Sequence, residues 1–127
     1  FIAHDTKKML IQNLCVAYRS ILNGHELYAT VTTGRLIQEA ANLPVHKFLP
    51  GHVGGEQQLA SMIEQGAIDL LICLHDPLKP QKHEPDAHEL ISLCDLHCIP
   101  LATNLASAEM LIKSLERGEL DWREIYR

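Results

Sequence analysis

Four short apolar segments of this sequence end in residues whose side chains bind anions or transfer protons. The groups that follow them are His4-Asp5-Thr6-Lys7-Lys8, Thr30-Val31-Thr32-Thr33-Gly34, Pro50-Gly51-His52-Val53-Gly54-Gly55-Glu56 and His75-Asp76-Pro77, the last leading to His83-Glu84-Pro85-Asp86. Histidines and carboxylates act as general acids and bases. Hydroxyl groups and unpaired N–H groups at a helix N-terminus suit an anion, above all a phosphate. These types together indicate a phosphate-binding site that also carries proton-transfer groups.

Each group taken alone also has a purely structural explanation. Asp5 or Thr6 would serve equally well as the N-cap of the first helix. Thr32-Thr33-Gly34 is a common turn and cap, and Glu56 in a first helical turn interacts favourably with the helix dipole. The convergence of the groups at successive segment ends, rather than any one of them, is therefore the argument for a site.

Hydrophobic periodicity predicts the elements that must position these groups. The predicted strands are Phe1–Ala3, Leu27–Ala29, Val45–Leu49, Leu70–Leu74 and Ile99–Ala102. Between them apolar residues recur at helical steps, as at Leu10, Leu14, Ala17 and Ile21. Gly66 and Gly118 are predicted left-handed helix ends, and Asn42 with Pro44 ends another helix.

Alternating strands and helices predict an α/β fold, a single doubly wound domain over residues 1–127. We expect a five-stranded parallel sheet with five helices distributed over both faces. In such folds ligands bind beyond the carboxyl ends of the strands, which is where the polar groups lie. The chain opens inside a strand, so we expect residues to precede Phe1.

Composition excludes several classes of protein. The chain has 46% hydrophobic and 21% charged residues, as expected for a folded domain. Its formal charge of −5 offers no basic surface for nucleic acid. No apolar run is long enough to span a membrane, and we expect no signal peptide. The four cysteines lie in periodic segments, which favours a reducing cytoplasm over a disulfide framework.

Two apparent metal motifs are rejected. His83 and His88 are five residues apart, whereas a zinc-protease helix needs four, and Pro85 interrupts the stretch. Cys94, His97 and Cys98 lie on or near one helix end with no second group of ligands, so buried small side chains and an exposed histidine explain them better. We therefore predict no metal site.

Several motifs together resemble the methylglyoxal synthase family. They are Ala3-His4-Asp5 with Lys8, Tyr28-Ala29-Thr30 with Thr32-Thr33-Gly34, Gly54-Gly55-Glu56-Gln57-Gln58, Asp76-Pro77-Leu78 with His83-Glu84-Pro85-Asp86, and Pro100-Leu101-Ala102-Thr103-Asn104. The resemblance covers nearly the whole chain. It implies a cytoplasmic lyase of a glycolytic bypass that converts dihydroxyacetone phosphate to methylglyoxal and phosphate, without a cofactor. It also implies a homohexamer inhibited by phosphate.

The resemblance implies a role for each site residue. Glu56 would be the base, His83 would lie against the substrate's carbonyl and hydroxyl oxygens, and a polar network would fix tautomers and move protons. The implied catalytic residues are Glu56, His83, Asp86, Asp5 and Asp76. The implied substrate- and phosphate-binding residues are His4, Lys8, Thr30, Val31, Thr32, Thr33, Gly34, Pro50 and Gly51.

This chain departs from the family pattern inside the implied site. Glu56 stands for Asp, and its extra methylene moves the carboxylate by ~1 Å, a misplacement that can cost on the order of 100-fold in rate. Val31 stands for Gly, which predicts strain if that position has positive φ. Pro50 stands for Ser and removes a hydroxyl and an N–H group, while His52 stands for Pro and adds a possible cation. The alternative function is therefore a catalytically weak or inactive phosphate- or phospho-metabolite-binding regulatory domain.

Overall fold

The structure is a computed structural model that describes residues 1–50, 53–78 and 87–126. The helices are α1 (Lys8–Ala17), α2 (Arg19–Leu22), α3 (Val31–Ala41), α4 (Gly55–Glu64), α5 (Ala87–Leu96) and α6 (Leu105–Glu116). The strands are β1 (Ile2–Ala3), β2 (Tyr28–Ala29), β3 (His46–Lys47), β4 (Leu71–Leu74) and β5 (Leu101–Ala102). Short 3₁₀ helices span Asp5–Lys7 and Asp121–Tyr126. The predicted alternation is confirmed, with the short α2 added to the five predicted helices.

All strand pairs described are parallel, but they form two sheets rather than one. One sheet has the order β1-β4-β5 and the other pairs β2 with β3. The predicted single five-stranded sheet is therefore not confirmed. The Phe1 nitrogen donates to the Tyr28 carbonyl oxygen at 2.7 Å, which places β2 beside β1. This contact does not extend into a ladder between the two strands.

β1 and β4 are buried on both faces, as parallel strands between helices require. Ile2 and Cys73 pack with side chains of α4 and α5 in one apolar cluster. Their chain neighbours Ala3, Ile72 and Leu74 point the other way and pack with α1 and α6. A third cluster joins α1 and α3 to β2. Helices thus cover both faces, as the doubly wound arrangement predicts.

Helix ends fall where the sequence predicted them. Gly66 and Gly118 have φ of +73° and +72°, and Asn42, at the end of α3, has φ of +52°. A further left-handed residue, Cys98, was not predicted and has φ of +54°. The Ile99 N–H group donates to the Cys94 carbonyl at 2.9 Å, the long-range bond of a helix-ending motif that usually places glycine where Cys98 stands.

None of the helices in the described part of the chain combines the length and apolar character that a membrane span requires.

We expect Cys98→Gly to raise the free energy of unfolding by about 1 kcal/mol. The left-handed conformation costs a residue with a Cβ roughly 1–2 kcal/mol, and the greater freedom of glycine in the unfolded chain offsets part of that gain. Cys98 is exposed, so little packing is lost. Urea denaturation measures the change. Cys98→Ala is the control, because it removes the thiol and keeps the Cβ; equal stability of the two variants would contradict the prediction.

Candidate functional site

The carboxyl ends of β1 and β4 meet at His4 and Asp76. The His4 N–H group donates to the Leu74 carbonyl at 2.9 Å, which continues the β1–β4 ladder by one bond. The His4 side chain is 7% exposed, and its Nδ1 accepts the Asp76 N–H group at 2.9 Å. One buried histidine therefore connects the chain directly after β1 to Asp76, two residues after β4.

The Asp76 carboxylate is held through both oxygens. Thr6 Oγ1 donates to Asp76 Oδ2 at 2.9 Å. The Leu78 N–H group donates to Asp76 Oδ1, also at 2.9 Å, and so closes a turn around Pro77. Because both oxygens accept hydrogen bonds, the carboxylate has a defined orientation.

His4 is poised to remain neutral. Its Nδ1 accepts a hydrogen bond and so carries no proton. Burial lowers the pKa of His4 below its usual 6.5, and the neighbouring His75, with ring centroids 5.8 Å apart, lowers it further. A neutral imidazole at this position keeps the bond to Asp76 intact near neutral pH.

Lys8 connects the end of β1 to the start of α3. Its Nζ donates to the Ala3 carbonyl at 2.8 Å and to Thr33 Oγ1 at 3.2 Å, and lies 3.7 Å from Asp5 Oδ1. The Lys8 side chain is 12% exposed whereas that of Asp5 is 75% exposed. The ammonium group is therefore held mainly by buried, uncharged acceptors, beside the positive end of a helix dipole.

The N-terminus of α3 presents hydrogen-bond donors at this point. Thr30 is the N-cap in an extended conformation, and its side chain makes no capping bond. Thr30 Oγ1 is buried and has no hydrogen-bond partner among the described residues. The first N–H groups of a helix have no partner within the helix, so this turn offers backbone and hydroxyl groups to an anion.

The strain predicted at Val31 is absent. Val31 is the first residue of α3, and it is not among the described residues with positive φ. Glycine instead matters for packing at Gly34. An added Cβ there would lie 3.0 Å from Lys47 Cγ and 3.4 Å from Val45 Cγ1. Gly34 thus allows α3 to pack closely against β3.

The loop after β3 is tied tightly to the start of α4. Pro50 supplies a carbonyl that accepts the N–H groups of Val53 at 2.9 Å and Gly55 at 3.2 Å. Gln58 Oε1 accepts the Leu49 N–H group at 2.7 Å. Gly54 has φ of +105°, and a Cβ on Gly55 would lie 2.0 Å from the Leu49 carbonyl oxygen. The two glycines therefore let α4 begin directly against the end of the strand.

The structure brings together two sets of the predicted residues: His4 with Asp76, and Lys8 with Thr33. Asp5 contacts Lys8. Gly51, His83, Asp86 and the side chain of Glu56 lie outside the described residues. Three contributors were not among the predicted site residues: Thr6, His75 and Gln58. Thr6 was considered only as a helix cap, and His75 and Gln58 were quoted only within longer motifs.

In the described part of the chain no three His, Cys, Asp or Glu side chains are grouped as metal ligands would be. Cys94, from one of the rejected metal motifs, is fully buried in the cluster between α4 and α5.

Comparison with known proteins identifies the family. The family model described as MGS-like domain matches residues 12–103. A methylglyoxal synthase from Caldicellulosiruptor saccharolyticus is 60% identical over 124 residues, covering 98% of this chain and 88% of the relative. One from Brevibacillus brevis is 55% identical and covers 99% of this chain and 93% of the relative. The chain belongs to the methylglyoxal synthase family.

A solved methylglyoxal synthase structure from Elizabethkingia anophelis NUHP1 has the same fold. It matches with a TM-score of 0.83 at 37% identity, over 91% of this chain and 77% of that one. The match to the methylglyoxal synthase from Brevibacillus brevis spans nearly the whole chain, so it includes His4 and Lys8, which precede the segment matched by the family model. The resemblance read from the sequence motifs is therefore confirmed at the level of the family.

We expect the stability of the protein to depend on His4 below pH 6.5. The folded-state pKa of His4 is depressed, so between that pKa and the 6.5 of the unfolded chain the unfolded state binds more protons. The His4 contribution is therefore complete above pH 6.5 and is lost as the pH falls through the folded-state pKa. Denaturant titrations at several pH values between 7 and 5 measure the loss.

His4→Asn is the matched variant for this measurement. Its Oδ1 can accept the Asp76 N–H group in place of Nδ1, but it does not titrate. We expect it to lose less stability than the parent on acidification, because asparagine binds no proton at this position in either the folded or the unfolded state. The same pH dependence in both proteins would contradict the assignment.

We expect Gly55→Ala to destabilise the protein by about 1–3 kcal/mol, the usual cost of overpacking. The added methyl group meets the backbone carbonyl of Leu49, which cannot rotate away. Gly24→Ala is the control, since its methyl group would make an ordinary contact of 3.7 Å with the Ile21 carbonyl. Urea denaturation measures the stability of both variants. Equal stability would contradict the prediction, because it would show that the loop moves away from α4 at little cost.

Proposed function

We propose that this protein is a lyase that converts dihydroxyacetone phosphate to methylglyoxal and inorganic phosphate. The observation that carries the proposal is the position of the Lys8 ammonium group. It lies at the N-terminus of α3, beside the ends of β1 and β4 where His4 and Asp76 lie. A cation and unpaired helix N–H groups suit a phosphate. Methylglyoxal synthases of up to 60% identity over nearly the whole chain support the reaction.

The reaction needs a base, stabilisation of an enediolate and departure of phosphate. We propose that Glu56 removes a proton from the hydroxyl-bearing carbon beside the carbonyl, giving the enediolate. The carbon–oxygen bond to phosphate then breaks, and the resulting enol takes up a proton on its terminal carbon to give methylglyoxal. His83 would donate to the substrate oxygens, while Asp86, Asp5, Asp76 and His4 would orient and move protons.

We assign phosphate binding to the N-terminus of α3 and to Lys8 beside it. Lys8, whose side chain is 12% exposed, supplies the charge, and the Thr30 hydroxyl, which has no hydrogen-bond partner among the described residues, supplies a donor that needs an acceptor. The residues that would complete the phosphate site are Val31, Thr32, Thr33, Gly34, Pro50 and Gly51. The same groups that bind phosphate would stabilise its charge as it leaves.

The departures from the family pattern leave a candidate for every chemical role. Val31 lies in a helix at negative φ and costs no strain. Glutamate is competent as a base in related chemistry, as in triosephosphate isomerase. The active enzyme is therefore favoured over the binding-domain alternative.

We also propose that the chain forms one domain and assembles as a homohexamer in the cytoplasm, where it would act in a bypass of glycolysis. Assembly is supported by large apolar side chains on the surface: Met9 and Val16 lie on one face of α1, and Met110 lies on α6. Contacts between copies would remove these side chains from water. Within each copy, we propose that β1 and β2 are adjacent members of one five-stranded sheet.

The decisive experiment incubates the protein with dihydroxyacetone phosphate and follows methylglyoxal and released phosphate together. We expect the two products in equal amounts, and we expect Glu56→Gln to reduce both by at least about 100-fold, because the amide cannot accept the proton. Glu64→Gln, at the other end of α4, is the control and should match the parent.

Two outcomes would contradict the proposal. Full activity of Glu56→Gln would exclude Glu56 as the base. Absence of both products, while inorganic phosphate still raises the thermal midpoint, would exclude the lyase and favour the phosphate-binding domain.

A further inference from the structure

Thr6 lies beside the proposed site without being one of its assigned residues. Its hydroxyl donates to Asp76 Oδ2 at 2.9 Å, across 70 positions of sequence. A threonine just before a helix usually caps it, but α1 begins after Lys7 without a side-chain capping bond. Thr6 therefore uses its hydroxyl on Asp76 instead of on its own helix.

The 3₁₀ turn explains why this hydroxyl reaches Asp76. In a 3₁₀ helix, side chains three residues apart lie on the same side, and Asp5 and Lys8 make such a contact at 3.7 Å. Thr6 lies between them in sequence and projects to a different side. Lys8 reaches Thr33 after β2, whereas Thr6 reaches Asp76 after β4.

The contact between Thr6 and Asp76 also helps to fix the position of the backbone that follows Asp76. Asp76 accepts from Thr6 on one oxygen and from the Leu78 N–H group on the other, while its own N–H group donates to His4. These bonds fix both the carboxylate and the backbone at Pro77-Leu78. The sequence continues from there into the segment that carries His83 and Asp86.

We propose that Thr6 is a positioning residue for the lyase reaction, orienting the Asp76 carboxylate through its hydroxyl group. The inference rests on the proposed function, because Asp76 belongs to the proton network only if that function holds. With Thr6 donating to Oδ2 and the Leu78 N–H group donating to Oδ1, the orientation of the Asp76 carboxylate is restricted. Small displacements of reacting groups have large effects on rate, so this restriction acts on the chemical step rather than on substrate binding.

The test compares kcat and KM for dihydroxyacetone phosphate among Thr6→Val, Thr6→Ser, Asp76→Asn and the double variant Thr6→Val/Asp76→Asn. We expect Thr6→Val to lower kcat by about 10- to 100-fold with little change in KM. Thr6→Ser, which keeps the hydroxyl group, should recover most of the activity. In the Asp76→Asn background Thr6→Val should have much less effect, because the interaction is already altered.

Ser20→Ala, which removes an exposed hydroxyl group from α2, is the control and should match the parent in kcat and thermal midpoint. A parental kcat for Thr6→Val would overturn the proposal, as would equal losses in both backgrounds. If Asp76→Asn is itself inactive, failure of Thr6→Ser to recover activity overturns it. Absence of product from the parent protein would instead overturn the proposed function, and the Thr6 role with it.

Discussion

The arrangement of the site depends on the pairing of β1 with β4. Ile2 and Ala3 are completely buried on opposite faces, and the next residue, His4, still donates to the Leu74 carbonyl of β4. Because β1 has only two residues, the first polar residue after it, His4, lies directly at the end of the ladder. Because the strands are parallel, Asp76 emerges at the same edge. The chemistry-bearing residues are thus adjacent as a consequence of strand direction and register.

Much of the fold could be predicted because its signals are local. Apolar runs and helical spacing placed the strands and long helices, and glycine or asparagine marked three left-handed ends. Cys98 escaped prediction because its residue type does not favour positive φ; the bond from Ile99 to Cys94 imposes the conformation. The separation of the strands into two sheets also escaped prediction, since apolar periodicity identifies strands but does not determine which of their backbone groups bond.

The site was predictable to the extent that strand direction determines it. Residues at strand ends were expected to meet, and His4 with Asp76 does so. The conformation of the turns was not predictable: the expected strain at Val31 required a positive φ that an α3 N-terminus does not have. The role of Thr6 was hidden for a related reason. Its residue type fits a helix cap, and only the position of β4 decides which acceptor it reaches.

The 3₁₀ turn after β1 separates two tasks that the proposed reaction needs at once. On the side of α3, Lys8 provides positive charge in a buried setting, which favours phosphate both bound and leaving. On the side of β4, neutral His4 accepts the backbone N–H group of Asp76, whose carboxylate is proposed to take part in proton transfer. An isomerase acting on the same substrate must retain phosphate after forming the enediolate. A lyase must instead release phosphate. A cation that backbone and hydroxyl acceptors already hold in place stabilises the leaving phosphate without having to reorganise.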